Sequence, residues 1–120
     1  MVYTSSTLSL AALELLVHVE PLLAPSDLVA TELDVPDDGG LGAQVTPDVF
    51  PRGDWQQYPA PEWQADLGDT WIADGTFQWL AVPSAVVPHE FNVLLNPRHA
   101  GMASVSVIST RPFSFDKRLL

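Results

Sequence analysis

The amino-acid sequence predicts an α+β domain built around one buried, central helix. Two observations carry this reading. An apolar run from Leu8 to Val19 leaves no polar face, and several short β-prone segments follow it, with a proline- and glycine-rich stretch from Leu41 to Pro61 among them. One buried helix with several short strands is the pattern of an α+β layer arrangement.

The elements follow in chain order. Val2-Tyr3-Thr4 is β-prone, and Ser5-Ser6-Thr7 supplies helix N-cap candidates. Leu8 to Val19 reads as a helix that Pro21 and Pro25 terminate. Leu8, Leu10, Ala11, Ala12, Leu13, Leu15, Leu16 and Val17 surround it with apolar surface, so burial on all sides is expected. A strand this close to the first residue calls for a pairing partner earlier in the sequence. Leu28 to Val35 alternates, with Val29, Thr31, Leu33 and Val35 on the inner side and Glu32 and Asp34 outside. Pro36 and the Asp37-Asp38-Gly39-Gly40 turn stop it. Leu41 to Pro61 is expected to be a long surface loop. Trp63 to Ala73 is ambiguous, a short helix being one reading. Phe77 to Val82 reads as a strand leading into Pro83-Ser84, and Phe91 to Leu95, Ser104 to Ile108 and Phe113 to Leu119 as three more. Trp55, Trp63, Trp71 and Trp79 fall eight residues apart, but the interval matches no repeat unit, and each ring is assigned to packing.

Composition bounds the function. A chain of 120 residues, 47% hydrophobic with a mean hydropathy of +0.14, forms a single domain with a real core. Cysteine is absent, which removes disulfides and thiolate chemistry and fits a reducing cytoplasm. The Leu8–Val19 run lacks a basic leader, contains Glu14 and His18, and is too short to span a bilayer, so a soluble cytoplasmic protein is expected. The net charge is −10, from 15 acids against 5 bases, which disfavours direct contact with nucleic acid. Ten of the acids lie between Glu32 and Asp74, while Arg98, Arg111, Lys117 and Arg118 sit in the last quarter. Such an acidic face suits a basic partner, solubility being an equally weighted alternative.

Two residues stand out chemically. Glu14 is a lone carboxylate inside an apolar helix, costly to bury unless it is paired or wet. Its partner is either His18 one turn on or the Ser5-Ser6 turn, or else it lies at the floor of a cleft, facing a developing positive charge. Ser84 sits in Val82-Pro83-Ser84-Ala85-Val86-Val87-Pro88, a stiff strand exit. Without a G-x-S-x-G elbow or an S-x-x-K neighbourhood it is a poor nucleophile, but it suits hydrogen bonding, whether to its own turn or to a ligand. His18, His89 and His99 lack metal-type spacing, no metal is expected, and there is no P-loop or G-x-G-x-x-G.

These segments together resemble the RES domain family. Tyr3-Thr4-Ser5 with Leu10-Ala11-Ala12-Leu13-Glu14 and His18 is similar to its first block. Leu67-Gly68-Asp69 with Trp71, then Leu80, Val82-Pro83-Ser84-Ala85, resemble the second. Asn92, Leu95-Asn96-Pro97, His99 and Phe115-Asp116 with Arg118-Leu119 resemble the third, with Ala100 where the family usually has proline. The family is named for an arginine, a glutamate and a serine; Glu14 and Ser84 fall on the last two. Its arginine belongs to a Gly-Gly-Arg-Trp type segment upstream of the Tyr-Thr-Ser strand, and none of the five basic residues here sits in such a context. The expectation is therefore one RES-type domain over residues 1–120 without that segment, and with weak or no activity in this form.

The resemblance implies an ADP-ribosyltransferase-like fold with a mixed, twisted sheet. It also implies a toxin that consumes NAD as substrate and is held in check by a cognate Xre-like DNA-binding antitoxin. Glu14 would stabilise the oxocarbenium-like state formed as the nicotinamide–ribose bond breaks. Tyr3 would offer its ring to nicotinamide or ribose, and Ser84 would orient the substrate. Whether water, phosphate or a protein accepts the ADP-ribose stays open, as does self-association into a homo-oligomer. Two rival readings are a RES-like module that binds an antitoxin or nucleotide without turnover, and a structural or carbohydrate-binding β-rich domain.

Overall fold

A computed structural model describes residues 1–20, 23–37 and 39–120. Strand β1, Val2–Ser5, runs antiparallel to β5, Phe91–Leu95, with Tyr3 opposite Leu94 and Ser5 opposite Asn92. On its other side β5 pairs antiparallel with β4, Trp79–Pro83, which in turn pairs in parallel with β3, Gly42–Gln44. The sheet order is β1-β5-β4-β3. Strands β2, Val29–Asp34, and β6, Ser106–Pro112, form a separate antiparallel ribbon. Two α-helices, α1 over Leu8–Leu16 and α2 over Glu62–Asp74, complete a mixed α/β architecture with two sheets. Short 3-10 turns occupy Pro47–Val49, Ala100–Ser104 and Lys117–Leu119.

Local chemistry explains the boundaries. Thr7 is extended and its hydroxyl accepts from Leu10 N at 3.1 Å, satisfying one of the amides a helix start leaves free. Helix α2 ends on Gly75, whose φ of 68° is the left-handed conformation that only glycine adopts without strain, and whose N–H returns to Trp71 O. Gly42 and Trp79 are register partners, and the indole lies directly over the glycine. The core centres on Leu94 and Leu95 of β5, Ala81 of β4 and Leu10 of α1.

The structure departs from the sequence reading in several places, the first being that α1 ends at Leu16 and not at Val19. Helix α1 is not buried all round: Leu10 is buried, but Leu8, Leu13, Leu15 and Val17 are exposed. The helix meets the sheet through one stripe, in which Ala11 and Glu14 are half-buried beside Leu10, and its other flank has no cover among the described residues. In β2 a bulge between Glu32 and Leu33 resets the alternation, leaving Ala30 and Leu33 half-buried and Val29 and Thr31 exposed. The expected loop from Leu41 holds β3, because Leu41 O accepts from Gln78 N and steers the chain alongside β4. Strand β6 starts at Ser106, since the His99 imidazole accepts from Gly101 N at 2.9 Å and holds the preceding residues in a 3-10 turn. Phe113 to Leu119 is no strand: after Phe113 N bonds Leu28 O, the Asp116 carboxylate takes Arg118 N at 2.9 Å and turns the chain.

Other readings fare differently. Phe91–Leu95 is β5 as expected, and the ambiguous segment at Trp63 is a full 13-residue helix. Pro21, and Asp38 of the turn, lie outside the described residues. Phe50 packs against both Trp55 and Trp63, with ring centroids 5.7 and 5.6 Å away, while Trp71 and Trp79 pack elsewhere. Among the described residues no helix is long and apolar enough to cross a membrane.

Candidate active site

The site grows from strand alternation. Tyr3 and Ser5 lie two apart on β1 and so share a face, as do Asn92 and Leu94 opposite them. The register sets Ser5 against Asn92 and leaves Tyr3 diagonal to it, a spacing long side chains bridge. Thr7 then starts α1, which returns over this face and carries Glu14 across it after two turns. Ser84 follows the end of β4, and its N–H bonds Glu90 O at 2.9 Å, continuing the pairing with the start of β5. Residues distant in sequence thus meet at one point.

Hydrogen bonds join them into a cluster. Ser84 Oγ donates to Glu14 Oε1 at 2.6 Å, and Asn92 Nδ2 donates to the same oxygen at 2.8 Å. The second N–H of Asn92 goes to the Tyr3 hydroxyl oxygen at 2.6 Å, while Asn92 Oδ1 accepts from Ser5 Oγ at 3.0 Å. Ser84 Oγ also accepts from Val86 N at 3.1 Å and Val87 N at 3.0 Å. Ser84 and Asn92 are fully buried, and Glu14 is half-buried. Among the described residues no hydrogen bond reaches Glu14 Oε2. The carboxylate is therefore gripped by one oxygen and presents the other.

Tyr3 connects the cluster to open space. Its phenol is pushed up to about 12, first by burial of the hydroxyl, then by the negative charge of Glu14, with the hydrogen bond from Asn92 acting in the opposite sense. The residue as a whole is 58% exposed, so the desolvation acts on the hydroxyl end while the ring stands open. That ring borders a cleft of about 620 Å³ between the β1–α1 corner and the β2–β6 ribbon. Arg111 and several hydroxyl side chains, among them Ser5, Thr7, Thr31 and Ser109, line it, together with Glu32 and Asp34. The single ion pair among the described residues is Arg118–Asp116, so Arg111 has no salt-bridge partner there. Glu14 and Ser84 are not in the wall of this cleft; they lie behind Tyr3. A smaller hollow, about 430 Å³, opens at the far end of the ribbon between Ser26–Val29 and Pro112–Ser114.

The RES domain family model matches residues 1–116. This chain belongs to the RES domain family. It is 33% identical over 121 residues to the Prs ADP-ribosylating toxin of Sphingobium sp. (strain YBL2), covering 100% of this chain and 74% of that protein. Toxin Res of Yersinia enterocolitica is 35% identical over 119 residues, covering 98% of this chain and 76% of that protein. Toxin Res of Photorhabdus laumondii is 31% identical over 121 residues, with 99% and 75% covered.

Within this RES domain the structure brings Tyr3, Glu14 and Ser84 together, through 70 residues of intervening sequence in the case of Glu14 and Ser84. Glu14 is held by Ser84 and Asn92. Neither of the partners the sequence offered takes that place: His18 packs instead against Tyr58, with ring centroids 5.8 Å apart, and Ser5 reaches Glu14 only through Asn92. Among the described residues no three His, Cys, Asp or Glu side chains form a metal-binding group. Asn92 is the residue that chemical reasoning on the sequence missed. Its signal was a lone amide in the apolar run Phe91-Asn92-Val93-Leu94-Leu95, the counterpart of the lone carboxylate in α1.

Proposed function

We propose that this RES domain is a toxin that cleaves the nicotinamide–ribose bond of NAD and is neutralised by a cognate DNA-binding antitoxin. The observation that carries this is Glu14, fixed through one oxygen in a buried cluster with the other oxygen free. As the bond breaks, its electron pair leaves with nicotinamide and positive charge builds on the ribose ring. A pre-placed carboxylate oxygen stabilises that charge with little reorganisation. Water or phosphate then adds to the ribose carbon and loses a proton, so that the reaction is hydrolysis or phosphorolysis. The phenol of Tyr3, neutral at physiological pH, accepts from Asn92 and so keeps its own hydrogen for a substrate oxygen. In the adjoining cleft, Arg111 offers a guanidinium to the diphosphate. The printed name of the Sphingobium relative, an ADP-ribosylating toxin, supports NAD as the substrate class.

The experiment is an NAD-consumption assay by chromatography on the purified chain. With a Gly-Gly-Arg-Trp type segment supplied ahead of the Tyr-Thr-Ser strand, the chain is expected to release nicotinamide, and Glu14→Gln to lower its turnover by roughly 10²–10³, the range seen when one electrostatic stabiliser is removed. Arg111→Ala is expected to raise KM more than it lowers kcat. Unchanged turnover in Glu14→Gln refutes the assignment. A folded wild-type chain that binds NAD without consuming it supports the non-catalytic module instead.

A further inference from the structure

We infer that Ser84 and Asn92 are positioning residues that act on substrate only through Glu14 and Tyr3, with Asn92 coupling the two. This deepens the NAD-cleavage reading and rests on it.

Valence decides the case. A serine hydroxyl has one hydrogen and two lone pairs. At Ser84 the hydrogen goes to Glu14 Oε1 and the lone pairs take Val86 N and Val87 N, all within 3.1 Å. The residue is fully buried, so nothing remains to touch a ligand. The two backbone donors also polarise the O–H, which strengthens its bond to the carboxylate.

Asn92 is equally saturated on its nitrogen. Its NH₂ has two hydrogens, one on Glu14 Oε1 and one on the Tyr3 oxygen. The orientation of this amide is fixed chemically, because a flip would point its oxygen at the carboxylate and its NH₂ at Ser5. Two consequences follow. Oε1 is fully engaged, so the carboxylate can turn only about that anchored oxygen, and Oε2 has no hydrogen-bond partner among the described residues. Tyr3, having accepted from Asn92, must donate elsewhere. A single buried amide thus sets both the acceptor and the donor that a ribose or carboxamide would meet.

The test has a spectroscopic arm and a kinetic arm. In ¹⁵N–¹H spectra of the intact chain, the side-chain amide of Asn92 gives two proton signals, assigned from their loss in Asn92→Leu or Asn92→Asp. Glu14→Gln is expected to move one of them and Tyr3→Phe the other. If neither variant moves them, the bridge does not exist and the inference falls, whatever the protein does to NAD. In the kinetic arm, Ser84→Ala and Asn92→Leu are expected to cut kcat by about 10²-fold, as misplacement of a catalytic group does. The same substitutions in a Glu14→Gln background are expected to change kcat by less than about 3-fold, because the group they position has lost its charge. Losses that repeat in full in that background mark a merely structural role and overturn the inference. Ser84→Thr, which keeps the hydroxyl, is expected to recover most of what Ser84→Ala loses, and it serves if Asn92→Leu does not fold. Failure of wild type to consume NAD would remove the function and the positioning role with it, while the bridge is still judged on its spectrum.

Discussion

Replacing Gly42 with alanine drives a methyl group into an indole. An ideal Cβ at this position lies 1.9 Å from Trp79 Cε2, 2.1 Å from Cδ2 and 2.3 Å from Cζ2. Carbon atoms rest about 3.5–4.0 Å apart, so the ring has to shift by roughly 1.5 Å. The indole is not free to do so, because its Nε1 donates to Pro36 O at 3.0 Å and a movement of that size breaks the bond. Overpacking costs about 1–3 kcal/mol and the lost hydrogen bond about 1 kcal/mol. Alanine recovers roughly 0.5–1 kcal/mol over glycine in a strand, which leaves a net loss of about 1–3 kcal/mol. For a domain of this length that lowers Tm by roughly 5–10 °C. Thermal unfolding followed by circular dichroism and tryptophan fluorescence reads it directly. Gly53→Ala is the control, since a Cβ there meets nothing within 4 Å, and it is expected to stay within about 0.5 kcal/mol of wild type. A Gly42→Ala protein as stable as that control would refute the packing argument.

Two further predictions concern charge. The Tyr3 phenol is raised in the fold from 10.0 to about 12, so its neutral form favours the native state. That contribution is complete below pH 10 and is lost as the pH rises through about 12, and denaturant titrations of Tyr3→Phe should lack this alkaline decline. The lone chain, with a net charge of −10, is expected not to bind duplex DNA at low salt but to do so when joined to a basic, DNA-binding antitoxin. A titration showing tight duplex binding without any partner would contradict the charge argument.

What could be read from the sequence was what local chemistry dictates. β-prone Val2 to Thr4, the capping hydroxyl of Thr7 and the apolar helix after it sit where their propensities place them. Helix α2 was weakly marked because Pro61 at its N-cap offers no side-chain capping bond, although Trp63, Leu67 and Trp71 recur at helical spacing and Gly75 supplies the stop. Strand β3 has three residues and owes its form to β4, so no local signal precedes it. The β2 bulge likewise arises from pairing with β6. At the site, Glu14 announced itself as a charge among leucines. Ser84 stood out by its flanking prolines and the family resemblance. Asn92 was marked only as a lone amide in an apolar run, and its partners could not be read from it, because its bonds to Glu14 and Tyr3 span 78 and 89 residues.

Those spans have a bearing on when the cluster can form during synthesis of the chain. Among the described residues, every side-chain hydrogen bond to Glu14 or Tyr3 comes from Ser84 or Asn92, so a ribosome must deliver more than two thirds of the chain before the first of these can form. Closing loops of such length is slow relative to the helix and turns that form on the way. A truncated or half-translated copy ending before Phe91 carries the carboxylate of α1 but neither β5 nor Asn92 to aim it. Assembly of the cluster is thereby deferred to the last stage of production.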